Sequence, residues 1–130
     1  MHRWIMALFV TLWLAGCSEP PWQTKDISGL MPPLAFELVD ENGKDVNADQ
    51  FLGKSTLLFF GFTHCPDVCP TTLARLDAAT QRMDEAARDD IQVLFVSVDP
   101  RRDDAEALRE YTDAFGPQFI GLTGDKAALD

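Results

Sequence analysis

Two apolar runs that contain no charged residue, Ser55 to Phe62 and Ile91 to Val98, decide what this chain can fold into. The first holds the continuous apolar stretch Leu57-Leu58-Phe59-Phe60, and the second ends at Asp99-Pro100. Runs without alternation suit strands covered on both faces, as in a parallel sheet. Between them, Thr71 to Arg88 carries Leu73, Leu76, Thr80, Met83 and Ala87 at helical spacing, which predicts one amphipathic helix. Strand, helix and strand in that order predict a parallel α/β unit with a right-handed crossover.

The flanks extend this unit. Leu34 to Asp40 begins with apolar–polar alternation, and Asn42-Gly43 lies just beyond it, so a hairpin is predicted around Glu41–Lys44. Asp103 or Asp104 is expected to cap a helix on which Leu108, Tyr111 or Thr112, and Phe115 share a face, stopped by Gly116-Pro117. Phe119 to Leu122 reads as a third strand, and Asp125 to Leu129 opens a further helix. The sequence given reaches Asp130 barely one turn into that helix, and nothing in it covers the far side of the sheet. The expectation is an α/β domain incomplete at its C-terminus.

The first residues read as an address. An uncharged apolar stretch from Ile5 to Ala15 follows Arg3. As a helix it spans about 16 Å, far short of a ~30 Å hydrocarbon core. It therefore fits a signal peptide rather than a membrane span. Leu14-Ala15-Gly16-Cys17 resembles a bacterial lipobox, in which Cys17 is lipidated and becomes the first mature residue. The predicted organisation is a signal peptide over 1–16, a Pro- and Ser-rich tether over 17–33 and a domain over 34–130. Lys plus Arg total 11 against 21 Asp plus Glu, a net charge of -10, which excludes nucleic acid as a partner.

One constellation carries chemistry: Phe60-Gly-Phe-Thr-His-Cys65-Pro-Asp-Val-Cys69-Pro-Thr-Thr-Leu73, at the expected end of a strand and start of a helix. In open α/β sheets, sites form in the crevice at the carboxyl ends of strands. Cys65 and Cys69, at i and i+4, can approach closely enough for a disulfide or a shared metal ion, with Pro66 and Pro70 stiffening the loop. Cys69 is expected near the helix N-terminus, where a thiolate is stabilised. Two soft thiolates favour Cu(I) or Zn, and a structural zinc site needs four ligands where two Cys and His64 make three. His64 is expected to point away from Cys65 if the strand is still extended there, which makes it a bystander. Asp99 is expected to face the crevice, to tune the thiolates, contact a partner or cap the next turn, and the charge of Asp67 is expected to raise the thiol pKa values. A thiol–disulfide reductase remains an alternative to metal binding, and a plain structural disulfide is a third reading. A peroxidase fits poorly, since Pro66 and Phe62 stand where a peroxide-orienting threonine belongs.

The run FFGFTHCPDVCPTTL, with Ser97-Val-Asp-Pro-Arg-Arg-Asp103 and Phe119-Ile-Gly-Leu-Thr123, resembles the SCO/SenC family of copper chaperones. The resemblance spans about Pro33 to Asp130 and implies a thioredoxin-like fold. It implies a chaperone that delivers a copper ion to the copper-centre subunit of cytochrome c oxidase, and together with the lipobox this predicts a membrane-anchored protein of the bacterial envelope facing the periplasm or exterior. Cys65 and Cys69 match the family's two copper-binding cysteines. The family's third ligand, a histidine on a later hairpin, has no counterpart in the sequence given.

Overall fold

A computed structural model describes residues 24–129. Two compact units are distinguished, Met1–Pro33 and Leu34–Asp130. In the first, the described residues 24–33 include a turn in which Leu30 N–H donates to Ile27 O at 3.0 Å. Cys17 and the apolar stretch before it lie outside the described residues. Among the described residues no helix is long and apolar enough to cross a membrane.

The second unit opens with the predicted hairpin, β1 (Glu37–Asp40) and β2 (Asp45–Asn47), paired antiparallel. Its turn forms because Gly43 takes φ 76° at no steric cost. Asp40 Oδ1 also accepts from the N–H groups of Asn42 and Lys44, at 2.8 and 2.9 Å. A short 3-10 turn (Ala48–Phe51) leads to β3 (Ser55–Gly61), α1 (Val68–Thr80), α2 (Glu85–Asp89) and β4 (Ile91–Ser97). Then come α3 (Ala105–Asp113), β5 (Phe119–Thr123) and α4 (Lys126–Leu129). The sheet order is β2-β1-β5-β4-β3, with β3, β4 and β5 parallel and β1 antiparallel to β5.

The central strand obeys its composition and the edge strand does not. β4 is buried from Gln92 to Ser97 because β3 and β5 flank it and both its faces are packed. β3, expected to be covered on both faces, lies at the edge of the described sheet, and Leu58 and the 60% exposed Phe60 face outward. An apolar run alone does not distinguish a central strand from an edge strand. The period of two sorts β4 into two cores. Val93 and Phe95 pack with Leu73 of α1 and Leu108 of α3, while Leu94 and Val96 pack with Leu38 and Leu122.

The predicted helix over 71–88 is two helices. α1 begins earlier, at Val68, and ends at Thr80. Asp84 then caps α2 by accepting from Ala87 N–H at 2.9 Å, which turns Ala87 outward instead of onto the core stripe. Arg88 closes the break by donating to the carbonyls of Thr80 and Met83, at 3.2 and 3.0 Å. One long-range tie escaped the sequence. Glu41 Oε2 accepts from Gly121 N–H at 2.6 Å and from Thr112 Oγ1 at 2.7 Å, joining the hairpin turn to β5 and α3.

Candidate metal centre

The centre sits where β3 gives way to α1, at the carboxyl end of the parallel strands. Gly61 ends β3, and a Cβ there would lie 2.8 Å from Phe95 Cε2 and 2.9 Å from Cys69 Sγ. Glycine therefore lets the buried Cys69 sulfur rest directly on the sheet. The chain then turns sharply, with Cys65 N–H donating to Phe62 O at 3.1 Å. Thr63 and His64 occupy the middle of this turn, so the extended geometry that would alternate His64 with Cys65 is absent. Pro70 stands in the first turn of α1, where its missing N–H leaves no intrahelical bond unmade.

The helix start favours a different cysteine from the expected one. Cys69 N–H donates to Cys65 Sγ at 3.4 Å, so the first turn of α1 is directed at Cys65. The thiol of Cys69 and the backbone N–H groups of Cys69 and Asp67 hold the Cys65 thiol below its usual range, against a small opposing effect of burial. Burial pushes the Cys69 thiol up, and its hydrogen bond to Cys65 adds to that. Asp67 thus acts on the pair through its N–H, while its carboxylate accepts from Thr71 Oγ1 at 3.3 Å. Both cysteines are free thiols. Since the thiolate is the nucleophile, limiting iodoacetamide at neutral pH is expected to alkylate Cys65 well ahead of the buried Cys69. Peptide mass spectrometry of quenched time points checks the order, and equal labelling would contradict this polarity.

The carboxylate beside the centre is Asp103. Asp103, expected as a possible helix cap, leaves that task to Asp104, whose Oδ1 accepts from Ala107 N–H at 2.9 Å. Asp103 itself is wholly buried. Its Oδ2 accepts from Thr63 N–H at 2.9 Å and Ser97 Oγ at 2.6 Å, and its Oδ1 accepts from Thr63 Oγ1 at 2.6 Å. Burial pushes this carboxyl up, but the bonds from Ser97 and Thr63 outweigh it and the net shift is down. Asp99, by contrast, is taken up by Arg102 in an ion pair of 2.5 Å. Ser97 was the readable signal: it shares the inward face of β4 with Val93 and Phe95, and a buried hydroxyl needs a partner.

Tyr111 on α3 closes the aromatic side, its ring 5.2 Å from that of Phe95. Its hydroxyl is buried and has no hydrogen-bond partner among the described residues. Burial first, then the neighbouring sulfurs of Cys69 and Cys65 and the carboxylate of Asp103, keep it protonated, its pKa pushed up to about 12. His64 faces solvent, 61% exposed, with Nδ1 3.0 Å from Thr63 Oγ1 and 3.8 Å from Asp103 Oδ1. No three His, Cys, Asp or Glu side chains among the described residues are grouped so as to hold a metal ion. The centre therefore offers two sulfur donors and a shielded acidic anchor.

Comparison with known proteins shows the family. The SCO1/SenC family profile matches residues 31–130. The mitochondrial SCO1 homolog 1 of Arabidopsis thaliana is 46% identical over 89 residues, covering 68% of this chain and 27% of that protein. The crystal structure of Arabidopsis thaliana ScoI with copper bound superposes with a TM-score of 0.68 at 43% identity, covering 73% of this chain and 59% of the other. The solution structure of apo Sco1 from Thermus thermophilus gives 0.69 at 48% identity, covering 75% and 56%. The chain thus spans less than two thirds of the length of each of these relatives. The α/β fold is thioredoxin-like, and the chain belongs to the SCO1/SenC family.

Proposed function

We propose that the chain is a copper chaperone that holds Cu(I) between Cys65 and Cys69 and delivers it to the copper-centre subunit of cytochrome c oxidase. The observation that carries the reading is the pair of free thiols four residues apart, one sulfur lying at the start of α1 and the other against Gly61. Two thiolates satisfy a soft monovalent ion that tolerates low coordination, and relatives have been solved with copper bound. Copper is cargo here, and a site of two ligands is easier to empty than a closed four-ligand cage. Lipidation of Cys17 would anchor the chain at the bacterial envelope, the signal peptide over 1–16 and the tether over 17–33 presenting the domain outside the cytoplasm.

The test is titration of the reduced chain with Cu(I) against a chromophoric chelator. One equivalent is expected to bind. Oxidation of the pair to a disulfide is expected to abolish uptake, because neither sulfur is then a thiolate. A reduced chain that takes up no Cu(I), or an oxidised one that takes up as much, would refute the reading. The unequal thiols favour one second reading, a thiol–disulfide reductase with Cys65 attacking and Cys69 resolving. That reading gains if the reduced chain ignores Cu(I) but reduces a disulfide in a copper-site peptide.

A further inference from the structure

The Thr63 hydroxyl has a single proton, and where it goes decides which nitrogen of His64 is free. Thr63 Oγ1 lies 2.6 Å from Asp103 Oδ1, and Asp103 is a buried carboxylate held in its ionised form by three donors. An ionised carboxylate only accepts, so the threonine proton is committed to Asp103. The contact of 3.0 Å between Thr63 Oγ1 and His64 Nδ1 must then run the other way, with Nδ1–H donating to the hydroxyl oxygen. The neutral imidazole therefore keeps its lone pair on Nε2, on a side chain that is 61% exposed and adjoins Cys65. A buried acid that fixes the tautomer of a histidine through a hydrogen bond is how proteins orient metal-binding imidazoles.

Building on the proposed copper site, we infer that His64 is an entry ligand for the incoming ion, presented by the Asp103–Thr63 relay. His64 is not grouped with Cys65 and Cys69 as a third donor, so it takes the ion transiently through Nε2 and passes it to the adjacent thiolate. Asp103 is the positioning residue of this device. Its amide analogue tests the logic, because the side-chain NH2 of asparagine in the Oδ1 position donates to Thr63 Oγ1. The hydroxyl proton is then released toward His64 Nδ1, which becomes the acceptor, and Nε2 carries the hydrogen.

Two measurements at about pH 8 decide the matter. Nitrogen-detected NMR of the metal-free chain is expected to show His64 as the Nδ1–H tautomer in the wild type and as Nε2–H in Asp103→Asn. Stopped-flow capture of Cu(I) from a weak chelator is expected to slow by roughly tenfold in both His64→Ala and Asp103→Asn, with the equilibrium stoichiometry unchanged. Thr63→Val, which removes the hydroxyl and keeps the shape, should give mixed tautomers and an intermediate rate. Capture at the wild-type rate in His64→Ala, or a wild-type His64 that is Nε2–H, overturns the inference and leaves the two-cysteine site intact. A wild type that binds no Cu(I) overturns the copper reading and the entry role with it.

Discussion

Cys69→Ser is expected to lose tight Cu(I) retention altogether, and Cys65→Ser to behave alike. A hydroxyl is a hard, protonated donor at neutral pH, so either variant leaves one thiolate to hold a soft ion. Groups that merely hydrogen-bond to metal ligands carry about 10–100-fold in affinity, so loss of a ligand should exceed 100-fold. In the chelator competition the uptake curve should then coincide with the chelator alone. The fold should survive, because serine nearly matches cysteine in volume, though at Cys69 the buried hydroxyl costs about 1–2 kcal/mol. Thermal denaturation separates the two effects, since a folded variant with no uptake supports the pair as ligands. An unchanged stoichiometry in either serine variant rules the pair out and directs attention to the reductase reading.

Asp103→Ala is expected to be the most damaging single change to stability near the centre. It strands two donors, Thr63 N–H and the buried Ser97 Oγ, and leaves Thr63 Oγ1 only its contact with His64 Nδ1. Each orphaned group costs about 1–3 kcal/mol, and because they share one acceptor the sum is not additive. A loss of about 3 kcal/mol is expected in urea denaturation, with the slope unchanged. Asp103→Asn keeps most of the bonds and should lose about 1 kcal/mol. The pH dependence follows from the lowered carboxyl. Its stabilising contribution is fully present above the ordinary value of 3.8 and is lost as pH falls through the lower folded value. The gap between wild type and Asp103→Asn should therefore close under strong acid. A gap that widens on acidification would contradict the assignment of Asp103 as the ionised acceptor.

The parts of this molecule that were legible in the sequence are those governed by periodicity and turn chemistry. Asn42-Gly43 fixed the hairpin, the apolar run through Val93 to Val96 marked a buried strand, and the Leu108–Thr112 spacing marked α3. The edge position of β3 was hidden because Leu57 to Phe60 carry the same composition as a buried strand, and neighbours are a tertiary property. The break before Asp84 was hidden because a helix stripe continues smoothly through a cap when residues are only counted. At the centre, Cys65 and Cys69 were plain from type and spacing, but their polarity was not. Which sulfur receives the helix N–H groups depends on the turn at Phe62–Cys65, and spacing along the chain does not encode it. Thr63 comes from a segment 40 residues away from Asp103, so only the fold brings it to the Ser97–Asp103 segment.

The sulfur of Cys65 has two employments, as a proposed ligand and as the acceptor for the Cys69 N–H. An ion bound to that sulfur draws on the same lone pairs that the amide uses, and a disulfide withdraws them in another way. The amide resonance of Cys69 is therefore a built-in gauge with three settings: empty, loaded and oxidised.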